Sequence, residues 1–228
     1  PVHERWGGWY VTRAHKDLNH MGNSIAVKEN GKLKLQRQNL SGGLADLFDV
    51  TNYPVSTSDI EALLVFDHQV RMQYVLLEST YKVRQALYDH KKSLDQENID
   101  DLKSLIKEVT ESVVSELLFK EEFPLGGKVV SGNGKGKFAE DFRSRGKADS
   151  KGRSLRDFDL KDRLFRYRCS YLIYSSSFMA FPEILKSSVI NRIKEVLSLE
   201  SVQSGYEYLQ NQEKKAIFEI LSETLPGF

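Results

Sequence analysis

Imidazole and thioether groups cluster early in this chain: His15 and His20 stand five apart, and Met21 follows the second directly. A further pair, His68 and Met72, is spaced by about one helical turn. Imidazole nitrogen and thioether sulfur are the side chains that complete the axial positions of an iron porphyrin. The His20-Met21-Gly22-Asn23 loop comes after an aromatic patch, Trp6-Gly7-Gly8-Trp9-Tyr10, and could supply such a ligand against a flat apolar ring. The plainer reading of His68 is a partly buried neutral imidazole satisfied by one hydrogen bond, because Leu64, Val65 and Met72 adjoin it on a helix surface.

Other chemistry is weaker. The run Ser131-Gly132-Asn133-Gly134-Lys135-Gly136-Lys137 lacks the spacing and the Ser or Thr of a phosphate loop, so it reads as a surface loop. Cys169 sits among Tyr167, Tyr171, Leu172 and Ile173, a setting that raises a thiol pKa and leaves it inert. No Gly-x-Ser-x-Gly elbow is present. From Lys128 to Arg168 there are 13 Lys and Arg against 6 Asp and Glu, a local excess of basic charge that could dock an acidic partner. The arginines alternate with Asp141, Asp149, Asp157, Asp159 and Asp162, however, which favours internal ion pairing.

Helices must position these groups. Ser58 and Glu61 have the spacing of a capping box. Beyond it Leu63, Phe66, Val70, Tyr74, Leu77, Tyr81 and Tyr88 form one apolar stripe, and Leu64, Val65, Met72 and Val75 a second, as expected of a central helix. A second long helix is predicted over 97–119 and, across the polar linker 91–96, an antiparallel helical hairpin with the first. Pro182 opens a third, with Leu185, Val189, Ile190, Ile193, Val196 and Leu197 as its buried stripe. A fourth starts near Asn211 and runs to Pro226-Gly227. Asn30-Gly31 between Ile25-Ala26-Val27 and Leu33-Lys34-Leu35 predicts a β-hairpin.

The expected fold is therefore mainly α: a helical bundle on a long antiparallel hairpin, with a loop-rich segment over 1–56 carrying a small β-hairpin. The helical part spans 57–228 and holds a basic, glycine-rich insertion at 120–158. Of 228 residues, 40% are hydrophobic and 29% charged, with a net charge of +1. Such a chain buries a core and has no global field for nucleic acid. No apolar run is long enough to span a membrane, and one cysteine excludes an internal disulfide framework.

Five blocks, in order along the chain, resemble a little-characterised group of exported bacterial c-type-cytochrome-like proteins. They are Glu4-Arg5-Trp6-Gly7-Gly8-Trp9-Tyr10-Val11-Thr12; His20-Met21-Gly22-Asn23; Ser58-Asp59-Ile60 with His68-Gln69; Gly152-Arg153-Ser154-Leu155-Arg156-Asp157-Phe158; and Cys169-Ser170-Tyr171-Leu172-Ile173-Tyr174. The resemblance implies that these blocks form the C-terminal part of a longer periplasmic or secreted protein. It implies haem c attached through a Cys-x-x-Cys-His segment upstream of Pro1. Distal ligands would then come from His20 and Met21 first, then His15 and His68, with Trp6, Trp9 and Tyr10 facing the ring. This chain departs from the group around His15, where Arg13-Ala14-His15-Lys16 replaces flanking glycines. The implied role is electron transfer or redox sensing, with the upstream haem segment and a redox protein as partners. A haem enzyme with an open iron position and a haem-free interaction module using the 128–168 span are the alternatives.

Overall fold

Asn30 and Gly31 both take positive φ, 50° and 75°, and so close the two-residue turn that the sequence predicts. Strands β1 (Ser24–Glu29) and β2 (Lys32–Arg37) pair antiparallel in the register that sets Ser24 opposite Arg37. The computed structural model describes residues 5–12, 20–38, 40, 43–91, 96–125, 137–200 and 203–228. Beyond this hairpin the described residues are mainly α-helical. The helices are α1 (Ile60–His90), α2 (Gln96–Leu117), α3 (Lys137–Ser144), α4 (Ser176–Met179), α5 (Glu183–Leu197) and α6 (Asn211–Thr224). No helix among the described residues is long and apolar enough to cross a membrane.

Two contact units emerge. The first comprises Pro1–Phe66, Phe123–Phe142 and Phe158–Leu164. In it, Thr12 meets the start of α1: its amide donates to the Ser58 carbonyl at 2.8 Å, and its carbonyl accepts from the Ile60 amide at 3.2 Å. Its hydroxyl donates to Asp59 Oδ1 at 2.9 Å and accepts from the Ser58 amide at 3.0 Å. The helix thus begins at Ile60, one residue later than a cap at Ser58 requires, and Asp59 is the flanking residue held by Thr12.

The second unit comprises Asp67–Glu122, Arg143–Asp157 and Phe165–Phe228. Here α2 packs against α5 and α5 against α6. Pro182 stands just before α5, where its missing amide costs nothing, and the whole predicted stripe from Leu185 to Leu197 is buried. Each of those side chains contributes about 1.5–3 kcal/mol by leaving water. Ile193→Ala, at a fully buried site, would cost about 2–5 kcal/mol.

On α1 the two apolar stripes part company. Leu64, Val65 and Met72 are buried together with Leu76 and Val83, whereas Val70, Tyr74, Leu77, Tyr81 and Tyr88 stand in solvent. Periodicity found both stripes; it could not say which one the core would take.

Candidate functional site

In the first unit the motif blocks close on one another through Asn23. Its side-chain oxygen accepts from the Val11 amide at 2.6 Å, and its amide nitrogen donates to the Val11 carbonyl at 2.8 Å. Asn23 thereby pairs with Val11 as a neighbouring strand would, from a left-handed φ of 63° that Asn tolerates well. Its own amide donates to the Trp9 carbonyl at 2.9 Å, and the Met21 amide donates to the Arg5 carbonyl at 3.0 Å. The aromatic block and the His-Met-Gly-Asn block form one knot.

Inside the knot lie Trp6 and His20, both buried, with ring centroids 5.7 Å apart edge to face. Arg37, returned by the β-hairpin register, reaches His20 Nε2 at 2.8 Å. A guanidinium only donates, so Nε2 is the accepting nitrogen and the neutral ring carries its proton on Nδ1. That Nδ1 is buried without a hydrogen-bond partner among the described residues. Burial, and then the Arg37 charge, lower the His20 pKa to about 4. The imidazole stays neutral at ordinary pH and presents no lone pair outward.

Outside the knot, Trp9 (52% exposed), Tyr10 (39%) and Met21 (37%) face solvent. Trp9 leans on Phe66 at 6.3 Å, and Tyr10 on Phe48 at 5.9 Å, with Tyr53 a further 5.5 Å from Phe48. The Met21 side chain lies beside Gly7, where a Cβ would meet it at 3.7 Å. The sequence-predicted residues therefore divide: Trp6 and His20 are internal supports, and Trp9, Tyr10 and Met21 are each partly exposed. His15 lies outside the described residues. Arg37 is the working residue that motif reading passed over, and Asn23 lay inside a motif block whose reading gave it no role of its own. The Asn30-Gly31 turn already fixes which strand residue returns opposite Ser24, so Arg37 was within reach of the register alone.

His68 belongs to the second unit. Its ring stacks on Phe119 at 4.7 Å, and Phe165 meets it edge-on at 5.7 Å. Nε2 and Ser170 Oγ are 2.7 Å apart, and Ser170 Oγ also accepts from the Leu172 amide at 3.2 Å. Burial, followed by the Arg71 charge, lowers its pKa to about 4. Cys169 beside it is fully buried, and burial pushes its thiol far above the usual range. These side chains make a satisfied aromatic core.

The basic span engages its arginines internally. Arg143 pairs with Asp157 at 2.7 Å, and Arg153 bridges Asp149 and Glu219. Arg168 grips Glu213 through Nε and Nη2, donates to the Tyr208 carbonyl at 2.6 Å and lies over the Tyr208 ring. The Gly-Lys run at 131–136 lies outside the described residues. An open groove of about 790 Å³ runs between α2 and α5 past Lys107, Thr110 and Arg192. Arg192 is tied there to Glu111 at 2.9 Å and to Glu195 at 3.1 Å.

Among the described residues no group of three or more His, Cys, Asp or Glu side chains is placed to hold a metal ion. No protein-family model matches the chain, and neither a curated protein nor a solved structure resembles it significantly. The likeness to cytochrome-like proteins rests on the motif blocks alone.

Proposed function

We propose that this chain is the ligand-supplying and shielding portion of an exported c-type-cytochrome-like protein, whose haem c is attached by a segment outside it. The supporting observation is that Trp9, Tyr10 and Met21 are each partly exposed while the segment that carries them is tied down by buried supports. An exposed thioether in a segment that also exposes two aromatics fits the soft axial ligand and apolar wall that such a group takes. Haem in that place would supply one-electron transfer, which makes the protein a carrier or sensor rather than a catalyst.

In this reading Met21 is the ligand. His20 holds the turn by taking the Arg37 hydrogen bond, and Trp9 and Tyr10 exclude water from the ring face. A dry wall and a thioether both favour the reduced, less charged iron. His68 and Cys169 contribute packing only. We also infer that α1 and α2 run antiparallel as a hairpin: Arg71, early in α1, forms an ion pair with Glu116, near the end of α2.

The test adds a haem-bearing Cys-x-x-Cys-His peptide, with its own proximal histidine, to the full chain. The spectrum should acquire the far-red band of methionine-ligated ferric haem. Met21→Ala should abolish that band, and Trp9→Ala should weaken binding about tenfold or more. A spectrum unmoved by the chain, or one that Met21→Ala leaves intact, rejects the reading.

A further inference from the structure

Among the described residues, the second unit leaves a long apolar surface of α1 exposed. On α1, positions 70, 74, 77, 81, 84 and 88 follow each other at alternating four- and three-residue steps, the 3.5-residue repeat of a coiled-coil seam. Val70, Tyr74, Leu77, Tyr81 and Tyr88 all stand exposed, Tyr81 at 70%. The buried face of the same helix, Met72, Leu76, Ser79 and Val83, lies on its opposite side. Ordinary surface helices carry charge there.

We infer that this seam is the self-association surface of the protein, pairing α1 with α1 of a second copy in antiparallel orientation. Three observations fix the occupant. First, area: the exposed parts of Tyr74, Tyr81, Leu77 and Val70 come to roughly 400–500 Å² per copy, taking an aromatic side chain as ~150–250 Å². The stems of Glu78 and Gln85 at the seam's edge add to this, which places the pairing at the small, weak end of interfaces whose standard size is ~800 Å² per partner.

Second, shape: with the two-fold axis between residues 75 and 76, Tyr74 meets Leu77 of the second copy and Tyr81 meets Val70. Both of these layers set a large side chain against a smaller one, and Tyr88 lies beyond the paired stretch, opposite the buried Leu63. Third, charge: the same register brings Asp67 opposite Arg84 of the second copy, whose guanidinium meets only the neutral Ala180 carbonyl at 3.2 Å among the described residues of its own chain, while Arg71 stays tied to Glu116. A parallel pairing would instead stack Tyr74 on Tyr74 and set Arg84 against Arg84, so like charges select against it. This surface is independent of the haem-facing reading, since it uses none of Trp9, Tyr10 and Met21.

Sedimentation equilibrium of the full chain over the micromolar range tests the inference, with circular dichroism of each variant at dilution confirming that it folds. The wild-type chain should dimerise. Tyr81→Lys should raise the dissociation constant at least about thirtyfold, as expected of a central aromatic anchor. Asp67→Arg should weaken the dimer, and adding Arg84→Asp to it should restore pairing. A wild-type chain monomeric throughout that range overturns the inference. So does a dimer indifferent to Tyr81→Lys, or a charge swap that rescues nothing.

Discussion

Gly22 occupies the tightest point of the motif knot. A Cβ there would lie 2.8 Å from His20 Nδ1 and closer still to Val11 Cγ2, a β-branched side chain with little freedom to yield. Gly22→Ala is expected to destabilise the fold by about 1–3 kcal/mol through overpacking. Gly7→Ala, whose Cβ would sit at an ordinary 3.7 Å from Met21, should cost far less. Urea midpoints of the two variants decide it, and equal losses would mean that the knot is looser than its geometry. Acid probes the same residues. His20 and His68 hold pKa values of about 4 in the fold and about 6.5 when unfolded. Between those values the unfolded chain binds more protons, so stability present above pH 6.5 is lost as the pH falls towards 4. The ceiling is roughly 3 kcal/mol per histidine. His68→Gln should flatten this acid loss in urea titrations at neutral and acidic pH, and an unchanged pH slope would show that His68 is not held neutral by burial. The sequence alone leaves His68 two readings, a partly buried hydrogen-bonded imidazole among apolar helical neighbours or a haem ligand, and its bond to Ser170 accords with the first. It did not separate His20 from Met21, since adjacent loop residues face opposite ways with no period to reveal it.

Among the elements, the turn over 149–153 is a clamp on α6. Asp149, its carboxylate buried, accepts from the Lys151 and Arg153 amides at 3.0 and 2.8 Å and from Arg153 Nε at 2.7 Å. Arg153 then reaches Glu219 on α6 at 2.7 Å, Lys151 joins the same carboxylate, and the Ser150 amide donates to Glu223 at 2.6 Å. Asp149→Ala removes the acceptor that holds the turn, at an expected cost of about 2–3 kcal/mol. Hydrogen exchange should show lost protection over 147–157 and along the facing side of α6, while α5 stays protected. Protection lost evenly everywhere would point to global unfolding instead of a released clamp. Helices α5 and α6 were legible because one apolar stripe at a period of 3.6 has a single place to go. α3 and α4, eight and four residues long, carry too few turns for a period to show. The basic excess of the 128–168 span was equally visible, but its meaning was not. Charge counts are blind to the carboxylates that α6 presents from elsewhere in the chain.

For the whole molecule, the uncovered seam on α1 has a thermodynamic consequence separate from any structure of the dimer. A species that associates only when folded gains stability by mass action, so its melting temperature must rise with protein concentration. A hundredfold increase in concentration shifts the balance by about 2.7 kcal/mol per mole of dimer formed. That is about 1.4 kcal/mol per chain, and in a chain of this size each kcal/mol moves Tm by about 2–4 °C, so a rise of a few degrees is expected. Variants then sort by which property they move. Gly22→Ala and Asp149→Ala lower the whole line of Tm against log concentration and leave its slope, because they weaken each chain and not the pairing. Tyr81→Lys flattens the slope and leaves the dilute limit where it was, since Tyr81 is 70% exposed in the single chain and its loss opens no cavity. A slope already flat in the wild-type chain would mean that a helix carrying two apolar faces keeps one of them in water.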